Sequence, residues 1–382
     1  MNKTTTPLLF WVALLLAGCS SFEQKANEKG LYTAQADISK PGEVSFFDLF
    51  SKAEIISLET NEHSQIRNIT KAIPYKNKYY VLDYMNAKII IFDAAGNYVN
   101  KIDNPGADPG EYFNISDFNI DGANKQLVVL TPVNQTMHKY DLAGNFQANY
   151  KLPPITKAYK SFIFLNADTT AYFTFDEGNR LKFYSSKRDS IVKESFPEAT
   201  NILNNYCLME FPYGNHLHRP LSDTVYKIEK AGGIIPAYKW DFGESSNTEK
   251  QLKELEKIPA NEFRSFHRKM INSDIINQVS QLRGGNSRFL FCQLWREGKR
   301  INIFHDKTNL KNYVFERTIE NAGIAPLYWH EDYMIGCYTA DIIDAIDIDD
   351  FIPDAILDEK NIAIKKRLTE NDNPILIKYY FK

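Results

Sequence analysis

The sequence predicts an all-β chain built as a ring of four-stranded units, and three observations carry that expectation. Aromatic residues make up 13% of the 382 residues, with 22 Tyr and 25 Phe in short runs broken by Asn, Asp and Gly. Such runs suit pleated, half-buried strands better than helices. Next, residues 80–98, YVLDYMNAKIIIFDAAGNY, return at 128–146 as VVLTPVNQTMHKYDLAGNF without a gap. Leu82, Asn86, Asp93, Gly96 and Asn97 recur as Leu130, Asn134, Asp141, Gly144 and Asn145, and Phe92 and Tyr98 pair with Tyr140 and Phe146. Finally, weaker strand clusters of the same rhythm continue to the C-terminus. Four antiparallel strands per repeat period make the blade of a β-propeller, and six such blades fit the chain.

The first residues stand apart. Lys3 and the amino terminus give a positive start, and Pro7 to Leu16 form an apolar run. As a helix that run spans about 15 Å, half a bilayer core, which marks a signal peptide rather than a permanent span. Leu16-Ala17-Gly18-Cys19 resembles the bacterial lipobox. That resemblance implies cleavage before Cys19, acylation there, and an outer-membrane lipoprotein held to the membrane by its acyl chains. Glu23 and Glu28 are too few to decide between the periplasmic side and the cell surface. The expected division is a signal peptide at 1–18, a lipidated N-terminus and flexible tether at 19–45, and the propeller at 46–382.

In the first two blades a leading strand, Ile66 to Pro74 and then Ile115 to Ile120, precedes the repeat. Each copy closes a hairpin with D-x-A-G-N, where Asp and Asn bond their own backbone and Gly accepts positive φ. Residues 162–196, 206–242 and 288–318 supply blades three to five. The last blade takes 326–338 and the ending NPILIKYYFK. Ala53 to Glu59, AEIISLE, is expected beside that ending, closing the ring and removing an exposed edge. Two stretches fall outside the pattern. Ser246 to Glu249 has the form of a capping box, and Phe263, Phe266, Met270 and Ile275 recur at helical spacing. They predict a helical insertion between blades four and five. Ala340 to Glu370 predicts a short helical segment, with Leu357, Ile362 and Ile364 available for packing.

Residues 106–146, from GADPGEYF onward, resemble the NHL-type repeat. The chain as a whole is similar to six-bladed propeller lipoproteins of Gram-negative bacteria, through Ser57 to Thr60 (SLET), Tyr79 to Tyr98, Asp223 to Ile228 and Asn371 to Tyr379. It departs from them in the third hairpin, which lacks Gly, and at Asp108, where Gly is commoner. The resemblance implies a fold and an address but no reaction, because fold does not dictate chemistry.

With 45 basic against 48 acidic side chains, the formal charge of −3 offers no basic face for nucleic acid. The sharpest polar cluster is FPYGNHLHRPLSDT. His216 and His218 would share one strand face, as two zinc ligands do, but no third ligand follows in sequence. Arg219 and Asp223 suit an ion pair or a ligand-binding rim. Tyr213, Tyr328 and Trp329 suit stacking on a sugar or peptide, or core packing. Glu111 and Asp117 belong near the channel mouth. Asp344 to Asp350 lacks the Gly and terminal Glu of a calcium loop, and no serine or cysteine hydrolase motif occurs. Cys207, Cys292 and Cys337 show no CxxC spacing and read as buried small residues, with one disulfide at most.

No catalytic residue or cofactor is expected. The reading is a membrane-anchored binding or scaffold propeller for a protein, peptide or glycan. The alternative is a metal-dependent propeller enzyme, a lactonase, esterase or lyase, with a divalent metal held in the channel.

Overall fold

A computed structural model describes residues 31–382 apart from 109, 177, 199–206, 213, 219–222, 247–261, 263–276 and 339–347. In chain order, β1 (Tyr32–Gln35) and α1 (Phe46–Leu49) precede β2 (Phe50–Ile56). Blade 1 follows as β3 (Ile69–Tyr75), β4 (Lys78–Asp83), β5 (Lys88–Asp93) and β6 (Tyr98–Ile102). Blade 2 is β7 (Asp117–Asp121), β8 (Gln126–Thr131), β9 (Thr136–Asp141) and β10 (Phe146–Lys151). Blade 3 is β11 (Tyr159–Phe164), β12 (Thr169–Thr174), β13 (Gly178–Ser185) and β14 (Ser190–Glu198). Blade 4 is β15 (Cys207–Phe211), β16 (Gly214–His218), β17 (Thr224–Ile228) and β18 (Ile234–Asp241). Blade 5 is β19 (Asn277–Gly285), β20 (Phe289–Arg296), β21 (Lys299–Asp306) and β22 (Asn312–Phe315). Blade 6 takes β23 (Pro326–Trp329), β24 (Tyr333–Tyr338) and β25 (Ile375–Phe381), with α2 (Ile348–Phe351) and α3 (Glu359–Lys365) inserted before β25.

Six four-stranded antiparallel blades are the predicted architecture, and the ring closes as expected. β2 is the outer strand of blade 6, with Ala53 opposite Tyr379 and Ile56 opposite Leu376. Three strands from the C-terminal end and one from the N-terminal end thus share a sheet, so no edge opens between the first and last blades.

The two AGN hairpins adopt the same bonds. Asp93 Oδ1 accepts from the amides of Ala95 (2.8 Å) and Asn97 (2.9 Å), and Asp141 repeats this with Ala143 and Asn145. Gly96 and Gly144 sit at φ +90° and +91°, where a Cβ is disfavoured. Each hairpin leans on the preceding blade. A Cβ on Gly96 would collide with the Ser57 carbonyl, whereas one on Gly144 would meet only side-chain atoms of Ile91 and Asn100. Gly144→Ala is therefore expected to destabilise by about 1 kcal/mol and Gly96→Ala by about 2 kcal/mol in urea unfolding.

Two boundaries differ from expectation. The stretch 19–45 is not tether throughout: β1 adds a fifth strand to blade 4, parallel to β18, with Tyr32 opposite Tyr238. Tyr32 and Ala34 alternate into the core beside Val225 and Trp240, and the Tyr32 hydroxyl meets His305 Nε2 at 2.5 Å. That packing, absent from any local pattern, draws the segment into the propeller. Blade 5 has a leading strand, β19, that its polar sequence concealed. The helical insertion predicted between blades 4 and 5 lies outside the described residues. The second helical segment is present as α2 and α3, with Leu357 and Ile364 packed on the core of blades 5 and 6. Its acidic residues Asp349 and Asp354 both pair with the buried Lys365 ammonium, which is a structural use for that charge.

Candidate functional site: one face of the disc

Strands β3, β7, β11, β15, β19 and β23 are the inner strands and face one another around the channel. Because strands alternate in direction, two kinds of link emerge on one face, here called the upper face. They are the turns between second and third strands and the links from each blade to the next.

Asp117, expected at the channel mouth, heads β7 and is 6% exposed. Its carboxylate accepts from Lys71 Nζ at 2.8 Å and from the Phe162 amide at 3.0 Å. Lys71 also donates to Asn119 Oδ1 at 2.8 Å, and the Asn119 amide donates to the Phe162 carbonyl. Asp117 thus ties the inner strands of blades 1, 2 and 3 together, and its buried charge is compensated on the spot. Glu111 folds back into its own loop and accepts from the Asp108 amide at 3.0 Å. The surrounding PGADPGEY turn is closed by bonds from the Gly106 amide to the Tyr112 carbonyl and from the Tyr112 amide to the Asn104 carbonyl. No helix follows it, as a phosphate-binding loop would require.

His216 and His218 share a face of β16, each 2% exposed. His216 Nδ1 lies 2.8 Å from the Gly214 carbonyl, and burial pushes its pKa down to about 4. Their cross-strand partners in register are Met209, Lys227, Cys207 and Val225. Among the described residues, no group of three or more His, Cys, Asp or Glu could hold a metal ion. Asp223 uses its carbonyl to accept the Trp240 amide at 2.9 Å. Tyr213 and Arg219 lie outside the described residues, as does Cys19.

Trp329 is not on a rim. It is 5% exposed, with ring centroids 5.4 Å from Phe291 and 5.7 Å from Phe381. Its large apolar surface is spent inside the core, so no face is left to stack on a ligand. Cys292 and Cys337 are buried and carry no disulfide, and burial pushes the Cys337 thiol up to about 12. The side chain of Cys207 lies outside the description.

The larger of two described clefts sits on the upper face over blades 6 and 1; the smaller, about 360 Å³, lies by Asp37, Val44 and Lys311. The larger cleft, of about 620 Å³, separates the link after β2 from the insertion before β25, with Gln65, Arg67, Asn86, Tyr338, Glu370 and Asn371 among its lining. Its frame is a clasp. Asn373, 6% exposed, accepts the Ile66 amide at 2.8 Å and donates to the carbonyls of Glu59 (2.8 Å) and Ser64 (2.9 Å). Its own amide donates to Thr60 Oγ1 at 2.8 Å. Asp83, fully buried, receives the amides of Arg67 and Asn68 and the side chain of Asn86. Beside the cleft, Tyr84, Met85, Phe113 and Val133 expose between 50% and 64% of their surface on three links of this face. Sequence reasoning missed every cleft residue. The signal was present in the SLET and NDNP motifs, whose contact with each other depends on ring closure.

Fold and surface together define a six-bladed propeller whose inner polar residues brace the ring and whose larger cleft opens on one face. The chain belongs to the family described as Domain of unknown function (DUF4934), which it matches over residues 32–380. It is similar to the crystal structure of a Bacteroides fragilis protein described as exported, with TM-score 0.72 and 16% identity over 92% of this chain and 99% of that one. It is also similar to a DUF4221 family member from Bacteroides vulgatus, with TM-score 0.53 and 10% identity over 90% and 99% of the two chains. At these identities the likeness shows the fold alone. No curated protein matches the chain.

Proposed function

We propose that the protein is a lipid-anchored cell-envelope module that binds a protein, peptide or glycan through the upper face over blades 6, 1 and 2. The observation that carries this reading is the gathering of the cleft and the four exposed apolar side chains on that one face. Exposed apolar groups clustered beside a concave site mark interaction surfaces, whereas singly scattered ones do not. The export recorded for the Bacteroides fragilis structure agrees with an envelope address. Among the described residues no helix is long and apolar enough to cross a membrane; the proposed attachment is through Cys19.

The geometry suits presentation. β1 lies on the outer edge of blade 4, so the stretch from Cys19 to Tyr32 reaches at most about 45 Å from that edge. Blade 4 stands opposite blade 1 in a ring of six, so β1, where the proposed tether joins the propeller, lies across the disc from the cleft. Cys19→Ala is expected to move the protein from the membrane fraction to the soluble fraction, and retention in the membrane would refute the anchor. For the face itself, a photo-crosslinking residue at Met85 is expected to yield discrete adducts in cells. The same residue at Ala123, on the opposite face, is expected to yield none. Equal labelling from both positions would overturn the assignment of the face.

A further inference from the structure

We propose that the cleft between blades 6 and 1 binds a short neutral oligosaccharide, an inference that rests on the reading of the upper face as a recognition surface. Three properties of the cleft lead there. The first is which groups are left to bind. Part of the backbone of its walls is already engaged: the Ile66 amide and the Glu59 and Ser64 carbonyls by Asn373, the Arg67 amide by Asp83, and the Thr369 amide by Asp372. A peptide adding as a strand would find no free ladder of amides and carbonyls here. Recognition falls instead to side-chain tips.

The second property is the chemistry of those tips. Gln65, Arg67, Glu370 and Asn371 line the cleft and bond no other side chain among the described residues. Two planar amides, a guanidinium and a carboxylate each present paired donor or acceptor atoms on a flat group. Adjacent hydroxyls of a pyranose, each both donor and acceptor, match such pairs in a bidentate manner. Ile66, Leu368 and Pro374 give an apolar floor for the C–H face of a sugar. The third property is charge. Among the described lining residues one guanidinium stands with two carboxylates, and the bonds that Asp372 accepts from the amide and hydroxyl of Thr369 leave its charge in place. The carboxylate in excess disfavours an anionic ligand, whereas a neutral one meets no such repulsion. The volume, about 620 Å³, lies within the range of small-ligand sites.

The test is titration of the folded chain lacking residues 1–18 and carrying Cys19→Ala, by calorimetry and amide NMR. The probes are cellotriose, maltotriose and chitotriose, with trigalacturonate as the anionic comparison. At least one neutral trisaccharide is expected to bind and to shift amide signals of 64–67 and 369–373. Arg67→Ala and Asn371→Ala are each expected to weaken it tenfold or more, while Ala123→Ser, on the opposite face, leaves it unchanged. Circular dichroism and melting confirm that the variants fold. Absence of binding by all three neutral sugars at 10-fold excess over about 1 mM overturns the proposal, as does equal binding by the cleft variants or preference for trigalacturonate. Those results leave the wider face to the Met85 crosslinking, which reports on it independently.

Discussion

Asn373→Ala is expected to lower stability by about 3 kcal/mol. Three bonds disappear, and they leave the Ile66 amide and the Glu59 and Ser64 carbonyls without their partner in a buried setting. Each orphaned backbone group costs about 1 kcal/mol or more, because water cannot replace what the side chain supplied. For a domain of this size that amounts to a fall of about 4 °C in Tm. Asn373→Asp is expected to be no milder. It keeps the acceptor for Ile66 but turns charge toward two carbonyl oxygens. The position matters for a further reason: Asn373 lies just before β25 and bonds the link that follows β2, the two strands that close the ring. Thermal unfolding of both variants checks the magnitude, and the cleft variants Arg67→Ala and Asn371→Ala give the comparison. The side chains of those two residues make no hydrogen bond among the described residues, and their loss is expected to shift Tm by less than about 1 °C. A comparable loss in all three would mean that the clasp is not what holds the closure.

The same residue shows why the fold was legible in the sequence and the site was not. Strands declare themselves locally, through alternation and through hairpins whose Asp, Gly and Asn bond within five residues. The 48-residue repeat therefore yielded two blades outright, and the rhythm yielded the others. β1 was silent because four residues, YTAQ, carry no pattern without the blade 4 edge they join. β19 was silent because Gly284 and Gly285, with Asn277 and two Gln, give a polar, glycine-bearing strand. The cleft is a juxtaposition of 60–67 with 368–375, segments brought together only by closure of the ring. SLET and NDNP were visible as motifs, but their meaning is mutual and no spacing encodes it. The candidates chosen in advance were conspicuous residue types, and the structure absorbs several of them. Trp329 fills the core, Asp117 braces three blades, and Glu111 closes its own turn. Charge and aromaticity mark what is costly to bury, so they flag internal braces as readily as binding sites.

His138 is such a brace without its bonds, and His138→Ile is expected to stabilise the protein by about 2 kcal/mol at pH 7. The repeat sets the comparison. Forty-eight residues earlier the equivalent position is Ile90, which is fully buried among Ile56, Leu58 and Ile335. His138 is 1% exposed, and neither ring nitrogen has a hydrogen-bond partner among the described residues. It sits between the rings of Tyr112 (5.8 Å) and Phe146 (6.3 Å), beneath the PGADPGEY turn. Burying an imidazole this way costs about 1–3 kcal/mol, and a branched aliphatic side chain recovers apolar contact. Burial pushes the folded-state pKa down to about 4, with the Lys151 charge adding to it. The unfolded chain, with an ordinary value near 6.5, takes up its proton first as pH falls. Full stability is thus held above about pH 6.5 and is lost progressively down to about pH 4. His216 shifts in the same direction to about 4, and His305 also shifts downward, so wild type keeps an acid slope whatever is done at 138. The variant should lose one histidine's share of it, widening its advantage over wild type by about 1 kcal/mol at pH 5. Guanidinium unfolding at pH 7 and pH 5 measures both differences. An unchanged acid slope would show that the imidazole is satisfied in solution, and would leave the turn above it as the place to look for its partner.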